Sequence, residues 1–134
     1  MAFIRDLSLD AALNDINAAN RRVLICDALP TSRDDFGVTV NILGHQVGVT
    51  VGSAQDGDTD GRKVVVPAIS TGTVSASGTA SHWAVITDGT ADTIDTGAPG
   101  DIVYASGSLT ASQTVTSGNT FTLDAINITI RDAT

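Results

Sequence analysis

Apolar residues in the first twenty positions recur at helical spacing. Leu9, Ala12, Leu13 and Ile16 fall on one stripe, Ser8 can cap the start, and Asp10 sits in the first turn. Arg21 and Arg22 lie near the far end, where cations complement the helix dipole. The pattern predicts one amphipathic helix over residues 8–19. From Val23 onward the period changes. "RVLIC" is a short apolar run, broken by "ALPTSRDDFG" with Pro30 and Gly37. "VTVNILG" alternates, with Val38, Val40 and Ile42 on one face, and "QVGVTVG" groups Val47, Val49 and Val51. Between them "LGHQVG" reads as a turn carrying His45. "RKVVVPAI" reads as an edge strand or a bulged one, because Pro67 cannot donate to a ladder.

The second half continues as strand and turn. "SHWAVITDG" is a strand ending at Asp88-Gly89, with Trp83 and Val85 on one face and His82, Ala84 and Ile86 on the other. "TADTIDTGAPGD" reads as a loop or a short loose hairpin, "IVYASGSL" as a strand, and "ASQTVTSGNTFTL" turns at Ser117-Gly118-Asn119. The last run is out of phase with itself. Phe121, Leu123 and Ala125 are odd, whereas Ile126, Ile128 and Ile130 are even. No regular strand puts both sets on one face. A bulge or bend near Asp124-Ala125 is expected, or else a cover on the second face. About eight short strands and one helix predict an all-β fold, an antiparallel β-sandwich of jelly-roll-like type. It would comprise residues 23–134, preceded by a helical arm over residues 1–22.

Composition sharpens this picture. The chain has 134 residues, which fits one domain. Aromatics are only 4%, so the core must be built from Val, Ile, Leu and Ala. A formal net charge of −8 argues against nucleic acid or an anionic membrane as partner. No apolar run reaches the roughly 18 residues of a membrane span, and "MAFIRDLSLD" lacks a secretory pattern, so synthesis in the cytoplasm is expected. Cys26 is the only cysteine, which excludes an intrachain disulfide. It reads as a small buried hydrophobe, with an intersubunit disulfide as the alternative.

Candidate chemistry is sparse. "AQDGDTDGRK" places Asp56, Asp58 and Asp60 at alternate positions before Gly61, the first half of a calcium-loop signature. The twelfth position, which requires a bidentate carboxylate, is Pro67, and a strand follows where a helix should. Arg62 and Lys63 stand beside the carboxylates. A solvated hairpin turn is the favoured reading and calcium the alternative. Trp83 reads as a core residue before a ligand-stacking one, and His82 as a hydrogen-bonded structural histidine. Ser and Asp are abundant enough to offer a triad with either histidine, but no G-x-S-x-G or H-E-x-x-H is present. No enzymatic activity and no cofactor are expected.

Several segments together resemble a family of small virion-associated structural proteins of tailed bacteriophages and prophages. These are "LSLDAALNDI", "VLICDALPTS", "GVTVGSAQDGDTDGRKVVVPA", "SGTASHWAV" and "SGSLTASQTVTSGNTFTL". The likeness spans nearly the whole chain. Its members keep a "GD…GRK" turn without a fixed acidic triplet, which implies a turn at Asp56–Asp60. "TADTIDTGAPGDIVY" is longer than the family's usual link. The resemblance transfers no catalytic residue. It implies a non-enzymatic virion protein that decorates the capsid or forms a collar or vertex. Such a protein would work as a homo-oligomer, for example a trimer, on the major capsid or other virion proteins. A tail-fibre or adhesin module that binds a host glycan or surface protein is the alternative.

Overall fold

The computed structural model describes residues 4–17, 20–87 and 102–132. The expected turn at Asp88-Gly89 and the loop that follows it lie outside these residues. Among the described residues, helix α1 (Asp6–Leu13) precedes nine strands: β1 (Arg21–Cys26), β2 (Ile42–Val49), β3 (Gln55–Asp56), β4 (Arg62–Val66), β5 (Ile69–Val74), β6 (Gly78–Ile86), β7 (Val103–Val115), β8 (Thr120–Leu123) and β9 (Ile126–Ile130). The fold is mostly antiparallel β, as expected, and every strand ladder is antiparallel.

The helix starts and stops earlier than its stripe suggests. Arg5 occupies the N-cap without a side-chain bond, and Ser8 lies inside the first turn, its N–H donating to the Arg5 carbonyl at 2.8 Å. Asn14, Asp15 and Asn17 follow Leu13, and such residues favour turns over helix interiors. Arg21 does serve the end of this segment. Its guanidinium donates to the carbonyls of Asp15 (2.9 Å) and Ile16 (3.1 Å) and lies 4.0 Å over the Tyr104 ring. Leu9 and Leu13 are buried, and Leu13 joins the main core.

Strand β1 explains why its sequence does not alternate. Arg22 to Cys26 are all buried because both faces are covered. Val23 and Ile25 enter the main core. Leu24 and Cys26 meet Phe36, Val40, Ala84 and Ile86 in a second cluster on the opposite face. Phe36 and Val40 reach it because the chain after Pro30 folds back through a 3-10 turn at Arg33–Asp35. Thus "VTVNILG" is not a strand from Val38. Val40 covers β1, Val38 is 80% exposed, and β2 begins at Ile42.

His45 does not sit at a turn. It lies inside β2, opposite Leu24 on one side and Thr73 on the other. The glycine that suggested a turn serves a close approach instead. A Cβ on Gly44 would lie 2.8 Å from the Thr73 carbonyl oxygen and 3.0 Å from the Phe121 ring. Phe121 occupies the volume that a side chain there would need.

One sheet has six strands in the order β7-β6-β1-β2-β5-β8, and the other has three in the order β3-β4-β9. They share a bent ladder. Arg62 to Val66 pair with Ile130 to Ile126, and Ile69 to Thr73 continue opposite Leu123 to Thr120. Between these runs, Pro67-Ala68 and Asp124-Ala125 face each other without ladder bonds, all four exposed. Pro67 therefore marks where the chain changes sheets, and β4 is the middle strand of its sheet rather than an edge.

Both strands change phase at this corner. On one, Val64 and Val66 point inward before it and Ile69 after; on the other, Phe121 and Leu123 before it and Ile126, Ile128 and Ile130 after. The bend expected at Asp124-Ala125 is present, and it brings both apolar sets to the same core.

The six-stranded sheet curls. Its outermost strands, β7 and β8, are consecutive in sequence and joined by the turn at Ser117-Gly118-Asn119. That turn is pinned to the end of β5: Gly118 N–H donates to the Val74 carbonyl and Val74 N–H to that of Asn119, both at 3.0 Å. The two edges approach there without backbone pairing. Gln113 bridges them instead, its Nε2 donating to the Thr122 carbonyl at 3.0 Å.

Candidate functional site

The seam between β7 and the β8–β9 corner opens into a cleft of about 360 Å3. Two irregularities wall it. On one side, β7 bulges away from β6. Ala80 pairs with Gln113 and His82 with Ser108, so Leu109 to Ser112 stand opposite a single residue, Ser81. On the other side stands the corner, Leu123 to Asn127. Trp83 contributes to the lining between them. Its ring lies across Gly107, where a Cβ would come within 2.9 Å of the indole Cζ2. Trp83 is half-buried and also packs on the main core. The expected core role is met, and part of the indole remains open to the cleft.

Polar residues line the cleft along with this indole. Ser108, Thr110, Gln113, Asp124 and Asn127 line the cleft with Leu109, Leu123 and Ile126. No Lys, Arg or His is among its lining residues. Asn127 donates one N–H to Asp58 at 3.0 Å, leaving its carbonyl oxygen and a second N–H. Asp124 is exposed and makes no ion pair with another described residue. The composition of the chain did not point to this cleft. The lone Trp and the phase break at Asp124-Ala125 were visible signals, but their meeting depends on the curl of the sheet.

The acidic loop is divided among cations. Arg62 binds Asp10 through Nε (2.6 Å) and Nη2 (3.2 Å), and its Nη1 reaches Asp56. Lys63 pairs with Asp58, and Arg131 grips Asp60 with two bonds of 2.9 and 2.7 Å. The three carboxylates thus serve three different cations. No group of three His, Cys, Asp or Glu side chains able to hold a metal occurs among the described residues. The Asp10–Arg62–Asp56 relay also fastens α1 to β4, and Arg62 and Asp10 are its half-buried part.

These pairs set a pH dependence. The hydrogen bond from Lys63 holds the Asp58 carboxyl below the ordinary carboxylate range, and the bonds from Arg131 do so for Asp60. Backbone N–H groups of Thr31 and Ser32 do the same for Asp35. Each carboxyl is more acidic folded than unfolded. Its contribution is therefore complete above about pH 4, the unfolded range, and is lost as pH falls through the folded value. Melting temperature is expected to hold from pH 7 to 5 and to fall below about pH 4, less steeply in Asp58→Asn and Asp60→Asn. Millimolar calcium and EDTA should give the same melting temperature at pH 7. A large calcium-dependent rise that Asp58→Ala removes would contradict the pairing.

His82 is not poised to activate a nucleophile. Ser81 Oγ donates to the Asp27 carbonyl at 2.9 Å and lies 2.7 Å from His82 Nδ1. The hydroxyl's one proton is already given, so Nδ1–H must be the donor. The Asp27 carboxylate accepts from Asn41 N–H (2.8 Å) and Nδ2 (2.7 Å). Ser81, His82 and Asp27 are adjacent but connected in the wrong sense for a triad. Cys26 is fully buried, and burial followed by the nearby charge of Asp27 pushes its thiol up to about 12. Such a thiol is a packing group in the folded chain.

Protein-family models, curated proteins and solved structures were all compared with the chain, and none matches.

Proposed function

We propose that the protein is a non-enzymatic virion structural protein of a tailed bacteriophage. It would decorate or stabilise the capsid, or form a collar or vertex, as a homo-oligomer seated on major capsid subunits. The resemblance described above motivates this reading. One structural observation carries it, the second apolar stripe of the N-terminal helix. Leu9 and Leu13 face the core, whereas Leu7 and Ala11 lie on the opposite side of the helix. Leu7 is 63% exposed and Ile4 38%. A helix apolar on two sides fits a segment fastened to its own domain on one side and to a neighbour on the other. Binding only to the assembled shell stabilises that shell by mass action.

The test separates the two stripes. Leu7→Glu should leave the melting temperature unchanged and weaken association with capsids or with other copies by about tenfold or more. Leu13→Ala should instead destabilise the fold. Labelled protein should appear in many copies over the head of intact virions. Absence from the virion, or unaltered assembly of Leu7→Glu, would overturn the reading. A few copies confined to the tail would favour the second reading, an adhesin module. Its support is the cleft that gathers Trp83, Asp124 and Asn127.

A further inference from the structure

The chemistry of the seam cleft selects among ligands. Its volume of about 360 Å3 lies at the small end of ligand sites, which run roughly 300–1,000 Å3. An anionic ligand finds no cation among the lining residues and approaches a chain of net charge −8. Phosphates, nucleotides and acidic sugars are disfavoured on this ground. A purely apolar ligand would cover Asp124, Asn127, Gln113, Ser108 and Thr110 without satisfying them. A ligand with an apolar flat side and a rim of hydroxyls satisfies both kinds of wall. The C–H face of a pyranose ring packs on an aromatic side chain, and its hydroxyls exchange hydrogen bonds with carboxylate, amide and hydroxyl groups.

We infer that the cleft between the β7 bulge and the β8–β9 corner is a binding site for a neutral saccharide of one or two pyranose rings, with Trp83 as the stacking surface and Asp124 and Gln113 as the hydroxyl partners. The bulge supports the assignment. Leu109 to Ser112 depart from the β6 ladder without a turn or a change of sheet to require it, and bulges of this kind re-aim side chains beside binding sites. The Gln113 amide is partly held before any ligand arrives, by the Thr122 carbonyl. Fixed partners lower the ordering cost of binding. A single site of this size binds weakly. On an assembly with many copies, effective concentration would make the attachment firm.

This inference stands on the cleft alone and holds for either position in a virion. The experiment uses the full chain. Trp83 is the only tryptophan, so intrinsic fluorescence reports on the cleft directly. Neutral disaccharides containing glucose, galactose or N-acetylglucosamine are titrated, with sialyllactose and galacturonate oligomers as acidic comparators. At least one neutral sugar should give a saturable shift, and the acidic ones none. Asp124→Ala, an exposed position, should weaken that binding about tenfold at unchanged melting temperature. In calorimetric titrations, which do not need the tryptophan signal, Trp83→Phe should retain the fold and weaken binding less than Trp83→Ala. Leu7→Glu should bind the sugar as the parent does, so failed assembly and failed sugar binding are told apart. No saturable response to any neutral sugar, equal response to acidic ones, or binding unaffected by Asp124→Ala would each overturn the assignment.

Discussion

Deleting Ala125 is expected to abolish cooperative folding, although its side chain is a single exposed methyl group. The reason lies in the bent ladder. At the corner both strands change phase together, Val66 to Ile69 on one and Leu123 to Ile126 on the other. Removing one residue reverses the phase of β9. Ile126, Ile128 and Ile130 would leave the core, and Asn127 and Thr129 would enter it. Each isoleucine forfeits roughly 1 kcal/mol or more of burial, and each polar group brought inside costs roughly 1–3 kcal/mol. The sum is comparable to a typical domain stability of about 5–15 kcal/mol. Ala125→Gly keeps the count and should cost less than about 1 kcal/mol. Denaturant melts of the two variants make the comparison. A deletion variant as stable as the parent would show that the corner does not set the phase.

Phe121→Ala should be the most damaging single substitution in the core, at about 3–5 kcal/mol. Phe121 is 2% exposed in a core with few aromatic side chains. It also fills space that two neighbours leave empty. A Cβ on Gly44 would lie 3.0 Å from its ring, and one on Gly72 only 2.3 Å. Without the ring, β2 and β5 face a void that neither glycine can fill. Chemical denaturation measures the loss. A second variant, Phe121→Leu, should recover part of it. A loss below about 1 kcal/mol for the alanine variant would mean the ring is not the keystone between these strands.

The sequence was most legible where a local pattern had a local cause. The inward stripe of α1, the turn at Ser117-Gly118-Asn119 and the phase break at Asp124-Ala125 could each be read from a few adjacent residues. Readings failed where a distant contact decided. Gly44 resembles a turn residue until Phe121, far along the chain, is seen against it. Val38 and Val40 alternate like a strand, but Val40 folds over β1 while Val38 stays in water. Pro67 signals an interrupted ladder, yet whether the interruption is an edge or a change of sheet depends on which strand lies opposite. The cleft was the least legible feature. Trp83 and Asn127 line one cleft only because the sheet curls, and the bulge at Leu109–Ser112 lies in a run of small and uncharged residues with no periodicity to break.

The placement of β8 and β9 bears on how the chain is made. These two strands supply an outer strand to each sheet, and their paired residues in β5 and β4 lie 47 to 68 residues earlier. Until Thr120 to Ile130 have left the ribosome, neither sheet can be completed. Closing loops of that length carries an entropic cost that no nearby contact offsets in advance. Folding therefore waits for these two strands and belongs to the slow, millisecond-to-second class of all-β chains. During that interval the apolar run of β1 is exposed in the nascent chain, where holding chaperones of the producing cell would find it.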